Sequence, residues 1–496
     1  MERRQLIGGA AALAFATVLP VRAAEDPPFD AQTVRTIAKT LSAAPYKAPD
    51  SSLPAQVADI GYDAYRAIRF DPNQALWRGA NLPFQAQFFH RGWLYKQKVE
   101  IFEVDSGRAR PIAYRPEMFT YGPEVKAPPP SDLGFAGFRL HAPINRRDYD
   151  DEVAVYLGAS YFRAVGKNLG YGLSSRGLSL NTGDPAGEEF PHFRAFWLER
   201  PQPGTNSIVV WALLDSPSTS GAMRFTIRPG EDTVMDVELT LYPRVDLAEP
   251  GIATGTSMFL FDPSNRMAVD DWRPAVHDSD GLMMLTGRNE ALWRPLANPR
   301  TLQVSSFLDA GPRGFGLMQR ARNLADYDDL EARYEARPSC WVEPIGDWGE
   351  GAVTLIEIPT KQEVHDNIVA TWRPKRKLQA KSEHGFLYRL HWGTAAPIRS
   401  DLARFQPFRT GPAEKGRVFV IDTIGGKPAP NARAEARVTA NAGTVQNVVA
   451  IPNPEQGGWR VSFELQPGDA KSVELRATLM QAETPLSETW VYRWTA

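Results

Sequence analysis

Short runs in which apolar and polar residues alternate recur along most of the chain. This alternation is typical of antiparallel strands that turn one face to a core and the other to solvent. In the first four fifths of the chain we predict strands over 84–89, 98–104, 207–214, 233–242 and 351–358. Two amphipathic helices and one short surface helix are predicted over 31–44, 54–68 and 324–335. Strand and helix do not alternate regularly, which argues against a doubly wound α/β sheet.

The pattern changes near residues 395–410. Beyond this segment, strands are predicted at a spacing of about ten residues, which is typical of a small immunoglobulin-like sandwich. They cover 417–421, 434–440, 458–465, 473–479 and 489–494. We therefore predict an all-β protein with a large N-terminal β-sandwich over 24–395 and a C-terminal immunoglobulin-like β-sandwich over 396–496.

Composition narrows the classes of protein and of partner. The chain has 39 Gly and 41 Pro among its 496 residues, which fits many short strands joined by turns. Its one cysteine, Cys340, cannot form an internal disulfide, so stability must come from burial. A buried small hydrophobe is the favoured interpretation of Cys340, with a nucleophile as the alternative. The formal charge of −2 gives no electrostatic reason to bind nucleic acid.

The first 23 residues resemble an export signal. Arg3 and Arg4 precede an uncharged run over 8–21, and the segment ends in small residues that suit a signal peptidase. The paired arginines indicate a twin-arginine signal, with an ordinary secretory signal as the alternative. The run is too short and too weakly apolar to span a membrane, so we expect no stable membrane anchor. In both cases the mature protein is expected outside the cytoplasm.

The segment DDWRPAVHDSDG, residues 270–281, combines four aspartates with an arginine, a histidine and a tryptophan. An EF-hand is excluded, because the first and twelfth positions of such a loop would fall on Val276 and Gly287, which offer no side-chain oxygen. An irregular calcium site and a plain polar turn stay open. The common hydrolase, protease and nucleotide motifs are absent from the sequence. Carboxylates among aromatic and arginine side chains are typical of a sugar-binding site.

A second cluster of this kind spans 334–344, 346–349 and 357–370. It places Asp366 just after a predicted strand. Taken alone, an aspartate in such a turn is more often a turn former than a catalyst. For His277 in the first cluster, a structural hydrogen bond is the default interpretation.

Several longer motifs, together with the segment 270–281, make the chain resemble the G and D family of periplasmic glucans biosynthesis proteins. The likeness runs from about residue 28 to the C-terminus, and its signal segment is more similar to that of the D protein. The motifs lie, in order, at 133–141, 158–164, 171–177, 187–191, 214–218, 312–317 and 366–369.

The resemblance implies a large β-sandwich with a long cleft and action in the periplasm on the β-1,2-linked glucose backbone of glucans. It implies an inverting endo-β-1,2-glucanase with Asp366 as general acid and Asp278 as general base, and no metal or organic cofactor. We expect burial, or a neighbouring carboxylate such as Glu363, to raise the pKa of Asp366. Asp278 would draw a proton from water directly or through groups such as Tyr334. The expected substrate-binding residues are Glu363, Tyr334, Arg337, Trp272, Arg273 and Trp341.

Several alternatives remain open at this point. Trp272 and Arg273 are expected in the cleft wall, but a core tryptophan and an arginine paired with Asp270 or Asp271 fit the sequence equally well. The protein could transfer the glucan chain instead of hydrolysing it, or bind and assemble glucan without turnover. A homodimer also stays open.

Overall fold

The structure is a computed structural model that describes residues 26–128, 132–266, 269–398, 400–426 and 433–496. The predicted twin-arginine signal lies outside the described residues. Strands dominate the described chain, and the prediction of an all-β fold is confirmed.

Among the described residues, α-helix is confined to three short segments near the N-terminus. The first predicted helix is present, and the second is broken into two short pieces. The α-helices are α1 (Thr33–Ser42), α2 (Ala55–Ala58) and α3 (Tyr62–Arg66), and the 3₁₀ turns are Pro72–Gln74, Pro116–Met118, Leu324–Asp326 and Tyr334–Ala336.

The surface helix predicted over 324–335 is wrong. Two 3₁₀ turns stand at its ends, and an irregular segment connects them. The Asp329 carboxylate accepts the backbone N–H groups of Glu331 and Ala332, which offers the chain an alternative to helical hydrogen bonds. Arg333 has a φ of +48°, a left-handed conformation that ends any helix.

The described residues up to Gly393 form 25 strands. They are β1 (Arg69–Phe70), β2 (Gln85–Phe89), β3 (Glu100–Asp105), β4 (Arg108–Pro111), β5 (Phe119–Thr120), β6 (Gly137–Arg146), β7 (Tyr149–Leu157), β8 (Tyr161–Ala164), β9 (Ser174–Arg176), β10 (Ser179–Leu180), β11 (His192–Glu199), β12 (Ile208–Asp215), β13 (Thr219–Arg228), β14 (Thr233–Pro243), β15 (Pro250–Ser257), β16 (Phe259–Phe261), β17 (Val276–His277), β18 (Gly281–Leu285), β19 (Ala291–Pro295), β20 (Gln303–Ala310), β21 (Gly314–Met318), β22 (Ser339–Ile345), β23 (Glu350–Glu357), β24 (Ile368–Pro374) and β25 (His384–Gly393).

Two sheets build this N-terminal sandwich. One has the order β2-β6-β7-β8-β9-β15-β24-β23-β20, and the other includes the run β19-β18-β21-β22-β25-β14-β13-β12-β11-β3-β4. Their apolar faces meet in one large core. Phe138 on the first sheet packs edge-on against Phe196 on the second, with ring centroids 4.9 Å apart. The first sheet also carries the strands that flank the candidate site, β8, β9 and β24.

The described C-terminal residues add nine strands, of which the sequence pattern missed four, over 404–405, 409–413, 444–453 and 484–485. They are β26 (Arg404–Phe405), β27 (Arg409–Ala413), β28 (Gly416–Ile424), β29 (Glu435–Ala440), β30 (Thr444–Asn453), β31 (Gly458–Gln466), β32 (Ser472–Gln481), β33 (Thr484–Pro485) and β34 (Thr489–Thr495). One layer has the order β26-β28-β31-β30, and the other contains β29, β32 and β34.

The two parts of the chain share a sheet. Strand β34 pairs in parallel with β19, where Leu292 lies opposite Thr489 and Trp293 opposite Trp490. A second core cluster joins Trp293 and Trp341 of the first part to C-terminal residues such as Phe463 and Trp490. A sheet and a hydrophobic core therefore both include residues from each side of the predicted boundary near residue 395.

Candidate active site

Asp366 lies on the loop between β23 and β24, and the next residue, Asn367, anchors the end of this loop by hydrogen bonds. The buried Asn367 side chain accepts the backbone N–H of Phe259 at 2.8 Å and donates to the carbonyls of Phe259 and Ile358, both at 3.0 Å. Ile358 in turn donates its backbone N–H to the Asn367 carbonyl at 2.8 Å. These bonds fix the backbone directly beside Asp366, so the position of its carboxyl is set by the sheet.

A buried ion pair lies at the end of the strand that precedes this loop. Arg294 Nη2 lies 3.0 Å from Glu357 Oε2, and both side chains are buried. Glu357 ends β23, and its other oxygen accepts the N–H of Ala297 at 2.8 Å. Burial raises the pKa of Glu357, and the positive charge of Arg294 opposes this.

We expect Arg294→Met to destabilise the protein strongly. The substitution leaves the Glu357 carboxylate buried without its counter-ion, which costs about 3–5 kcal/mol in the free energy of unfolding. Urea denaturation measures this loss. The control is Arg437→Met, which removes an exposed pair with Glu483 and is expected to leave the unfolding midpoint unchanged. Equal midpoints for the two variants would contradict the supporting role of Arg294.

Asp278 lies between β17 and β18, and its side chain is only 6 % exposed. Its backbone N–H donates to the Met258 carbonyl at 2.8 Å. Arg337 donates to its carboxylate through Nη1 and rests on the face of Tyr334, 4.2 Å from the ring centroid. Burial raises the pKa of Asp278, and Arg337 opposes the rise by stabilising the ionised carboxylate.

The Asp366 carboxyl is more open, with 29 % of the side chain exposed. Arg163 Nη2 lies 3.8 Å from its Oδ2, a looser contact than the one between Arg337 and Asp278. Burial raises the pKa of Asp366, Arg163 opposes the rise, and the nearby charge of Asp278 adds to it. Burial therefore acts on the pKa of Asp366 in the direction expected from the sequence. The neighbouring carboxylate is Asp278, however, and not Glu363.

Two hollows meet at the Asp366 loop. One, of about 690 Å³, is lined by Phe89, Tyr95, Glu152, Val155, Leu157, Gly158, Ala159, Tyr161, Phe162, Arg163, Tyr171, Val364, His365 and Asp366. The other, of about 620 Å³, is lined by Trp272, Arg273, Asp328, Asp329, Leu330, Glu331, Ala332 and Glu363. The loop supplies wall residues to both, so the two hollows lie on either side of it.

Arg273 organises the second hollow. It contacts Asp271 at 2.8 Å, Asp329 at 2.9 Å and Glu363 at 2.8 Å. Tyr334 donates its hydroxyl to the same Glu363 at 3.2 Å. The sequence left open whether Arg273 lies in the cleft wall or pairs with Asp270 or Asp271. In the structure it does both, because it lines the second hollow and pairs with Asp271. Trp272 is 74 % exposed at the edge of that hollow, so it is not a core tryptophan.

Seven of the eight predicted site residues lie together around the Asp366 loop, and Trp341 does not. Trp341 is buried on β22, in the core that joins the two parts of the chain. Its ring packs onto Gly314, where an added Cβ would lie 2.2 Å from it. The prediction that Trp341 binds substrate is not supported, because the ring offers no accessible face.

The sequence analysis did not single out several residues of the first hollow. Tyr161, Arg163 and Tyr171 occur in motifs that carry the family resemblance, so the signal was present. Glu152 had no such signal. It lies on β7 and pairs with Arg139 at 2.7 Å.

Asp271, Asp278 and Asp280 of the segment 270–281 have protein partners in the structure. The Asp280 carboxylate accepts the backbone N–H groups of Arg320 and Ala321 at 2.8 and 3.0 Å. His277 contacts Gln319 at 3.0 Å and stacks on Phe259. In the described part of the chain, no group of three or more His, Cys, Asp or Glu side chains is placed to hold a metal ion.

Residues 29–494 match the family model described as periplasmic glucan biosynthesis protein, MdoG. The chain belongs to this family. It is 57 % identical to the glucans biosynthesis protein G of Rhodopseudomonas palustris and 55 % identical to that of Bradyrhizobium diazoefficiens, with both chains covered completely in each case. It is 53 % identical to glucans biosynthesis protein G of Vibrio cholerae, over 96 % of this chain and 88 % of the relative.

These relatives of the MdoG family are called protein G, so the expected likeness to the D protein is not supported. The name of the family places its members in the periplasm. Among the residues that the structure describes, no helix is long and apolar enough to cross a membrane.

Proposed function

We propose that this protein is an inverting endo-β-1,2-glucanase of the periplasm, with Asp366 as general acid and Asp278 as general base. The observation that carries the proposal is the asymmetry of the two carboxyls. Asp278 is buried and held by Arg337, which favours the ionised carboxylate and so opposes the rise in pKa that burial causes. Asp366 lines an open hollow, and its raised pKa is opposed only by the looser contact with Arg163 at 3.8 Å, while the nearby charge of Asp278 adds to the rise. Glycoside hydrolysis with inversion needs one carboxyl in each state.

The base is expected to act through a relay. Asp278 is buried behind Arg337 and Tyr334, whereas Asp366 lines the hollow. A proton from the attacking water would therefore reach Asp278 through intervening groups. Tyr334 is the candidate, because its ring lies under Arg337, the partner of Asp278, and its hydroxyl is bonded to Glu363. Tyr161 and Tyr95 offer ring faces for pyranose units, and Glu152 and Arg163 offer partners for sugar hydroxyls.

A second function is favoured by the names of the relatives. They are called biosynthesis proteins, which fits a glucan-binding and assembly role, or chain transfer to another glucan. Chromatography of linear β-1,2-glucan after incubation with the purified protein separates these functions. We expect short β-1,2-linked oligosaccharides. Longer products would indicate transfer, and bound but unchanged polymer would indicate assembly without turnover.

Arg163 provides a test by pH dependence. Its positive charge lowers the pKa of both Asp366 and Asp278. In Arg163→Met the pKa of both carboxyls is therefore higher. The general acid then stays protonated to higher pH, so the alkaline limb of the kcat profile shifts to higher pH. The general base also needs higher pH to ionise, so the acid limb moves in the same direction. Initial rates against pH measure both limbs.

The matched control for this variant is Arg110→Met, whose exposed guanidinium pairs with Asp26. We expect its pH profile to coincide with that of the wild type. Limbs of Arg163→Met that stay in place, or move to lower pH, would contradict the electrostatic role of Arg163.

A further inference from the structure

A cluster of aromatic side chains extends from the first hollow toward the N-terminal helices. Tyr95 lines that hollow, and its ring lies 5.8 Å from Trp93 and 5.7 Å from Tyr65. Trp93 in turn lies 5.2 Å from Tyr62, which is 52 % exposed. The cluster therefore leads from the wall of the hollow to open surface.

The cluster also borders a third hollow. This hollow has a volume of about 610 Å³, and Tyr65 and Phe89 are among its lining residues, together with polar groups such as Arg66, Asp71 and Arg139. Phe89 lines the first hollow as well. Phe89 is thus common to the two hollows, and of the four aromatic rings Tyr95 lines the first hollow and Tyr65 the third.

The backbone holds Trp93 in an unusual conformation. Gly92 and Tyr95 exchange two backbone hydrogen bonds, at 3.1 and 2.8 Å, which leaves Trp93 and Leu94 at the tip of a tight turn. Trp93 has a φ of +50°, and left-handed backbone is costly for a bulky residue. The half-buried Trp93 ring thus occupies a costly position outside the main core, and such backbone strain is often found at ligand-binding positions.

We propose that Tyr62, Trp93 and Tyr95 form a stacking platform for a distal part of the glucan chain, beyond the units bound at Asp366. Flat pyranose faces pack on aromatic rings, and the charged groups of the third hollow would bond the hydroxyls at the rim of each sugar. The platform makes the protein select long chains over short ones. This inference rests on the proposed function, because it assumes a glucan bound at Asp366.

The test is calorimetric titration of the full chain carrying Asp366→Asn, which prevents turnover, with a β-1,2-linked trisaccharide and a decasaccharide. Tyr62→Ala and Trp93→Ala are added singly to this background. We expect each to weaken decasaccharide binding about tenfold, as expected when one stacking contact is lost, and to leave trisaccharide binding unchanged. The control is Tyr149→Ala, an exposed aromatic residue, 58 %, that lies outside the cluster of ring contacts formed by Tyr62, Trp93 and Tyr95.

Each outcome decides between the two proposals. Decasaccharide binding that is unaffected in both variants, or weakened equally for both ligands, would overturn the platform and leave the glucanase proposal intact. Absence of binding to either oligosaccharide in the parent protein would overturn the glucan site itself. Comparable losses in Tyr149→Ala would show that the effect is not specific to the platform and would also overturn it.

Discussion

Asp366→Asn is expected to lower kcat for β-1,2-glucan by roughly 10²–10⁴-fold, the usual contribution of a general acid. The amide has nearly the shape of the acid but cannot deliver a proton to the departing glycosidic oxygen. The backbone at this position is held by Asn367 and not by Asp366 itself, so the fold should persist. Initial rates of reducing-end release measure the effect, and an unchanged urea midpoint checks the fold.

The matched control for this variant is Asp347→Asn. Asp347 is an exposed turn aspartate between β22 and β23, where its carboxylate accepts the N–H of Gly349 at 2.7 Å. We expect wild-type kcat for this variant. Near wild-type turnover by Asp366→Asn would remove the acid role from Asp366, and the neighbouring Glu152 of the same hollow would become the next residue to replace.

Asp278→Asn is expected to produce a loss of similar size, about 10²–10⁴-fold in kcat, for a different reason. The buried amide no longer accepts a proton from the relay, and Arg337 is left beside a neutral partner. Because acid and base act in the same step, the double variant with Asp366→Asn should be little slower than the slower single variant. Rates of the two single variants and the double variant form the measurement.

Glucan affinity separates this effect from a general disturbance of the site. Asp278 lies behind Arg337 and lines neither hollow at the Asp366 loop, so calorimetric titration should give an unchanged Kd for Asp278→Asn. Normal turnover by this variant would contradict its assignment as base. Losses of the single variants that multiply in the double variant would indicate that the two carboxyls act independently.

The ten strands predicted from local sequence patterns all correspond to strands of the structure, because alternation needs only neighbouring residues. They could not predict that β34 joins β19, since this pairing connects Trp293 with Trp490, far apart in the chain. The helix expected over 324–335 failed because the Asp329 side chain captures backbone N–H groups, a contact that periodicity does not show. Long-range and side-chain contacts therefore account for the main errors in the fold.

The candidate site was predicted chiefly through family resemblance, and the structure changes its details. An aromatic residue close to carboxylates made Trp341 a plausible sugar contact, but its strand turns the ring into the core. Glu363 was expected to raise the pKa of Asp366, yet it is engaged by Arg273 and Tyr334. Arg163 and Glu152 come from β8 and β7, and only the folded sheet brings them beside the Asp366 loop.

The most direct test of the account is proton NMR of the purified protein acting on linear β-1,2-glucan, recorded from the first minutes. Inversion requires that the new reducing ends appear first as the α-anomer and then equilibrate by mutarotation. We predict this result. Early accumulation of the β-anomer would contradict the inverting mechanism, and a spectrum that does not change with time would contradict glucan hydrolysis.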